Sequence, residues 1–139
     1  MAFTLYDVSG LRNKNMKTHK DLEVWKVSMG FVKDIYMATT SFPKTEIFGL
    51  TNQIRRAAVS VPANITEGSA RKNTKEFRYF LRISFASLAE LETLLILATD
   101  LEILQEEKFA SLHGKIKLIT VQLCNLMKAL DQKITNQSY

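Results

Sequence analysis

An all-α fold, an up-down-up-down four-helix bundle, is the fold class this sequence predicts, and three observations predict it. Apolar residues recur at three- and four-residue spacing through most of the chain from about residue 20 onward. The 139 residues include only two prolines and five glycines, which leaves little room for β-turns. The breaks between periodic stretches are short, and short connections place consecutive helices side by side and antiparallel. A hydrophobic content of 46% is enough for one continuous core, and the length is that of a single domain.

Residues 1–18 form an N-terminal arm, and residues 19–139 form the bundle. In the arm Phe3, Leu5, Tyr6, Val8 and Leu11 alternate loosely with polar residues before a basic stretch from Arg12 to Lys20. An arm lying on a neighbouring subunit and a disordered arm both fit this pattern. The first helix is predicted over about residues 20–41, with Leu22, Trp25, Met29, Val32 and Tyr36 on one face and Pro43 beyond its end.

The second helix carries two stripes. Leu50, Ile54, Ala57, Ala58, Val61 and Ile65 form an apolar row, while Gln53, Arg56, Ser60, Asn64 and Glu67 form a polar row about a third of a turn round. Pro62 interrupts this pattern. It removes a backbone donor and crowds the carbonyl of Ala58, at a cost of roughly 3 kcal/mol in an ideal helix interior, so a kink near Ala58 to Pro62 is expected. Gly68 reads as the C-terminal stop. For the polar row the reading is an architectural seam of mutually satisfied groups, with a ligand or nucleic-acid site as the alternative.

Asn73, with Glu76 three residues on, reads as a capping box that opens the third helix, which is predicted to run to about Leu104. Phe77, Leu81, Leu88, Leu91, Leu95 and Ala98 form its core seam. A second apolar stripe contains Tyr79, Ile83, Ala86, Leu94, Leu97, Leu101 and Leu104. Wider burial within one bundle would account for it. The sharper reading is a subunit interface formed by Tyr79, Ile83, Leu94, Leu97, Leu101 and Leu104, because a monomer rarely leaves such a stripe in water. The fourth helix begins after Gln105 to Lys108 and repeats Phe109, Leu112, Ile116, Ile119, Leu123, Leu126 and Leu130 as a heptad-like seam.

The residues Gln53, Arg55, Arg56, Ala57, Ser60, Pro62, Asn64, Glu67, Gly68 and Arg71 resemble the central motif of a bacterial family of small four-helix-bundle proteins. The resemblance extends to His19-Lys20-Asp21-Leu22-Glu23-Val24-Trp25, to Phe80-Leu81, and to the run Ser87 to Thr93, and so covers the chain from about Asp21 onward. Ala86 departs from the pattern, standing where a glycine often precedes the Ser-Leu pair. The family is encoded in intervening sequences of large-subunit ribosomal RNA genes, carries a ribosomal-protein label and has no well-established biochemical activity. It is similar to the accessory protein of diversity-generating retroelements. That resemblance implies a homopentamer, nucleic-acid binding and a reverse transcriptase as a possible protein partner.

Charge points to the same class of partner. The net charge is +5, from 19 basic and 14 acidic residues. An up-down topology gathers Arg12, Lys14, Lys17, Lys20, Arg71, Lys72, Lys75, Lys128 and Lys133 at one end, with Arg78 and Arg82 slightly further along the third helix. Glu46, Asp100, Glu102, Glu106 and Glu107 gather at the other end. Along the third helix this order runs against the macrodipole preference, so helix stability did not select it. RNA or DNA held by its phosphates at Arg12, Lys14, Lys17, Lys20, Arg71, Lys72, Lys75, Arg78 and Arg82 would explain the pattern. A solvated basic surface, or opposite ends pairing between subunits, is the competing explanation. The lysines lack interleaved exposed aromatics, which gives no warrant for base-specific reading.

Enzymatic chemistry has no foothold in the sequence. His19 and His113 lie in different segments outside any Glu-x-x-His pattern, so no metal site is expected. Cys124 sits beside core Leu123 and reads as a small buried hydrophobe. Phosphate-binding glycine loops and catalytic triad motifs are absent. No catalytic residue and no cofactor is therefore expected, and the leading alternative to nucleic-acid binding is a protein-interaction scaffold. A single cysteine and the absence of a secretory pattern lead to the expectation of a cytoplasmic protein, with no membrane partner.

Overall fold

The computed structural model describes residues 18–137, so Arg12, Lys14 and Lys17 and nearly all of the arm lie outside the described residues. Four helices follow one another: α1 (Glu23–Thr39), α2 (Leu50–Ala70), α3 (Thr74–Asp100) and α4 (Glu106–Gln137), with short 3-10 turns at His19–Asp21 and Lys44–Glu46. No strand occurs among the described residues. The fold is an all-α four-helix bundle.

Side-chain contacts establish the antiparallel course of each neighbouring pair. The Trp25 indole Nε1 near the start of α1 donates to Thr66 Oγ1 near the end of α2 (3.0 Å). Ser84 Oγ on α3 donates to the Val61 carbonyl on α2 (2.8 Å). Arg78 near the start of α3 pairs with Asp131 near the end of α4. Lys115 early in α4 pairs with Asp34 late in α1. Helices α1 and α2, α2 and α3, α3 and α4, and α4 and α1 pack on one another, with α2 and α3 in the most extensive contact. This is the up-down-up-down arrangement.

The core fills from one stripe per helix: Val24, Phe31 and Ile35 from α1, Ile54, Ala58, Val61 and Ile65 from α2, Leu81, Leu88, Leu91 and Leu95 from α3, and Ile116, Ile119, Leu123, Leu126 and Leu130 from α4. These are the three- and four-residue repeats that mark an amphipathic helix.

The ends differ from the sequence expectations for local reasons. Glu46 Oε2 accepts from the Leu50 N–H (3.1 Å), satisfying one of the orphan donors that open α2. Helical structure continues on both sides of Pro62, so the proline does not divide the segment. Gly68 is not the stop. It lies inside α2, where an added Cβ would come within 2.7 Å of Phe80 Cβ and 3.0 Å of Phe77 Cδ1. The helix ends at Ala70, followed by Arg71 in an extended conformation. Asn73 Oδ1 accepts from the Glu76 N–H (3.1 Å) and caps α3. That helix ends at Asp100 rather than Leu104. Glu102 takes a left-handed conformation (φ 59°), and the N–H groups of Ile103 and Leu104 both turn back to the Ala98 carbonyl (2.9 and 3.0 Å). The chain thereby folds Leu104 into the core.

Candidate nucleic-acid interface and polar seam

The α2–α3 turn and the adjoining 3-10 turn at His19–Asp21 form one end of the bundle. Lys20, Arg71, Lys72, Lys75 and Arg82 are exposed there or on the first turns of α3. Not all the cations are equally available. Arg71 Nη2 donates to Glu67 Oε1 (2.6 Å), and its guanidinium lies over the Phe80 ring, 5.1 Å from the centroid. Arg78 forks onto Asp131, with Nε on Oδ1 and Nη2 on Oδ2 (3.2 Å for the second bond), and is half-buried. A phosphate would have to compete with a carboxylate at both residues. At Lys75 and Arg82 no such carboxylate pairs among the described residues. His19 packs edge-on to Trp25 (5.2 Å between centroids), and burial, followed by the Lys20 charge, holds its imidazole pKa below the ordinary value of 6.5.

The polar row of α2 divides into two parts. Ser60 Oγ shares a hydrogen bond with Ser87 Oγ on α3 (2.8 Å), and Asn64 Nδ2 donates to both the carbonyl and the Oγ of Ser60 (2.8 and 2.9 Å). These groups satisfy one another across the α2–α3 seam. Glu67 instead holds Arg71, four residues on. Gln53 and Arg56 are exposed and border an open depression with Asn52, Ser87 and Glu90. The structure thus brings Ser60 and Asn64 together, and leaves Gln53 and Arg56 facing out.

The second stripe of α3 divides as well. Tyr79, Leu97 and Leu101 are 60%, 47% and 63% exposed. Ile83 is half-buried. Leu94 and Leu104 are buried in the subunit's own core, which removes them from the group available to a second subunit. Periodicity alone does not distinguish the edge of a broad core from an outward face, so Leu94 and Leu97 share a stripe although only Leu97 faces out.

Sequence reasoning missed several partners. Asp131 and Asp34 lie far along the chain from the cations they hold, and no local pattern announces them. Ser87 and Ser84 did leave a signal, as polar residues three apart beside the core stripe of α3. Arg55 belongs to the family-like motif, but no local pattern announces its partners. Its Nε donates to Thr39 Oγ1 (2.9 Å) and its guanidinium lies over the Tyr36 ring, 4.6 Å from the centroid. Beside it, Tyr36, Ile47, Thr51, Asn52, Arg55, Arg56, Val59 and Ser60 line an open hollow of about 520 Å³.

Cys124 is half-buried on α4. Among the described residues no group of three or more His, Cys, Asp or Glu side chains could hold a metal ion. No helix among them is long and apolar enough to cross a membrane.

Known proteins place the chain in a family. Curated proteins offer no match. A solved structure from Bacteroides thetaiotaomicron, a protein of unknown function from the S23 ribosomal protein family, superposes with a TM-score of 0.69 at 24% identity, covering 76% of this chain and 95% of that one. At that identity the likeness speaks to the fold, which it shares. The sequence profile of 23S rRNA-intervening sequence proteins matches residues 20–125, through all of α1, α2 and α3 and well into α4. This chain therefore belongs to the 23S rRNA-intervening sequence protein family.

Proposed function

We propose that this chain is a non-enzymatic, cytoplasmic bundle protein that assembles with copies of itself, as a homopentamer on the family resemblance, and binds the phosphate backbone of RNA or DNA. The observation that carries the reading is the grouping of exposed Lys20, Lys72, Lys75 and Arg82, with Arg71, around the end of the bundle made by the α2–α3 turn. Neutralising several phosphates supplies affinity without reading sequence. Arg78 contributes less than its position suggests, because Asp131 already neutralises it. The arm cations Arg12, Lys14 and Lys17 would add to this surface.

Salt titration tests the proposal. Wild type and a Lys75→Ala, Arg78→Ala, Arg82→Ala variant are titrated with single- and double-stranded RNA and DNA at rising salt. Binding is expected to be weakly sequence-dependent, and the variant's slope of log affinity against log salt should be shallower by about 0.7 to 0.9 for each phosphate it no longer neutralises. No wild-type binding at low salt, or identical slopes, would overturn it.

A protein-interaction scaffold without nucleic acid is the second reading, favoured by the exposed Tyr79, Leu97 and Leu101 on α3. A reverse transcriptase is the class of partner that the resemblance implies. Self-assembly is common to both readings and has its own check: Leu97→Glu with Leu101→Glu should lower the native mass while helical circular dichroism stays. A wild-type monomer at micromolar concentration would defeat it.

A further inference from the structure

We propose that the hollow between α1 and α2 is a nucleotide site, with a phosphate held between Arg55 and Arg56 and the base lying against Tyr36 and Val59. It is separate from the basic end of the bundle and does not depend on that surface binding nucleic acid. The first argument is charge. Adjacent arginines on a helix point about 100° apart, yet Arg55 and Arg56 both line this one hollow. Neither forms an ion pair with a carboxylate among the described residues. Glu46 caps α2 through Leu50, and Glu90 borders the neighbouring depression that Arg56 also lines.

The second argument is organisation. Arg55 does not wave in solvent. Its Nε is tied to Thr39 and its flat face rests on Tyr36, which leaves the outer edge of the guanidinium to meet an oxyanion as a fork. Little side-chain freedom remains to be lost on binding. Asn52 adds an amide that both donates and accepts.

The third argument is the rest of the lining. Tyr36 and Val59 are each 42% exposed, and Ile47 adds a further apolar edge, so a planar apolar body has surface to cover beside the cations. Thr51, only 5% exposed, lines the hollow, and its Oγ1 has no hydrogen-bond partner. A buried hydroxyl left unmatched is uncommon and costly. Two guanidiniums suit the double charge of a phosphate monoester better than the single charge of a carboxylate or an internal phosphodiester. A volume of about 520 Å³ lies within the range of small-ligand sites. The shared chemistry is that of a nucleoside monophosphate, whether free or at the end of a strand.

Calorimetric titration with adenosine monophosphate, adenosine, inorganic phosphate, and a short oligothymidylate with and without a terminal phosphate tests the site on the full chain. Adenosine monophosphate should bind, and adenosine should bind at least about tenfold more weakly. Arg56→Gln, at an exposed side chain with no bond to lose, should weaken the monophosphate by a similar factor without changing native mass or melting temperature. Tyr36→Leu should weaken the monophosphate by a larger factor than inorganic phosphate, because it removes the surface under the base as well as the stack that steadies Arg55. The variant with Lys75, Arg78 and Arg82 replaced by alanine should bind the monophosphate as wild type does, so failure of the basic end and failure of this site are told apart. Tighter binding of the phosphate-ended strand than of the mononucleotide would assign the site to strand ends, and the reverse order to free nucleotides. No binding of the monophosphate, equal binding of adenosine, or an Arg56→Gln variant that shifts native mass while binding as wild type would overturn the proposal.

Discussion

The two helix pairs α2–α3 and α1–α4 solve the same packing problem by different means. Between α2 and α3 the contact is close and built from small groups: Gly68 against Phe77 and Phe80, Ser60 against Ser87, and Ser84 against the Val61 carbonyl. Between α1 and α4 the Lys115–Asp34 pair joins the helices through a long lysine side chain. The glycines on those two helices, Gly30 and Gly114, have open space where a Cβ would be. Small residues at a crossing let the backbones approach, and they also make the crossing intolerant of added atoms. The α2–α3 pair is thus the part of the bundle whose sequence is most constrained by shape, and it also holds the polar row of α2 and the basic turn.

The largest expected effect follows from Gly68. Alanine has the higher helix propensity by up to about 1 kcal/mol, so on local grounds Gly68→Ala should stabilise. Its Cβ would meet the Cβ of Phe80 at 2.7 Å and the Phe77 carbonyl at 3.2 Å, atoms that cannot swing aside as a side-chain tip can. Overpacking of this kind costs about 1–3 kcal/mol, so the net change should be destabilising. A lowered urea midpoint with an unchanged m-value checks it, and a neutral result would mean that α2 and α3 are not held so close.

Ser84→Ala comes next. Its hydroxyl is fully buried and donates to the Val61 carbonyl, the residue just before Pro62. Removing that bond should cost about 0.5–1.5 kcal/mol by denaturant unfolding. No loss would show that the carbonyl is satisfied without Ser84. By contrast, the Lys115–Asp34 pair, with both side chains well exposed to solvent, belongs to a class worth about 0–1 kcal/mol, so charge holds α1 to α4 less firmly than shape holds α2 to α3.

This contrast also explains what the sequence disclosed. The helices and their core stripes were legible because periodicity reports which face is buried, and Leu81, Leu88, Leu91 and Leu95 lie where the period puts them. The Asn73 cap was legible because it is a local bond. Gly68 was misread because a glycine near a helix end looks the same whether it supplies a left-handed turn or room for a phenylalanine on another helix. The end of α3 was hidden because the left-handed residue is Glu102 rather than a glycine or asparagine. In the candidate sites, the row of cations was visible, but Asp131 and Glu67 as their partners were not all foreseeable: Glu67 stands one turn before Arg71, whereas Asp131 comes from another helix. The stacking of Arg55 on Tyr36 likewise joins two helices and has no local signature.

The smallest effect has the opposite sign and sharpens the comparison most. Gly114 lies inside α4 on an exposed face, with nothing among the described residues within 4 Å of the position a Cβ would take. Gly114→Ala removes backbone freedom from the unfolded chain without meeting an obstacle, and should stabilise by about 0.4–1 kcal/mol. The same substitution would therefore raise the urea midpoint on α4 and lower it on α2. The measurement also bears on assembly. If the proposed subunit contact uses α3 through Leu97 and Leu101, Gly114→Ala should leave the native mass unchanged. A destabilised Gly114→Ala variant with a reduced native mass would place a neighbouring copy against α4 instead, because no atom of the described residues fills that space.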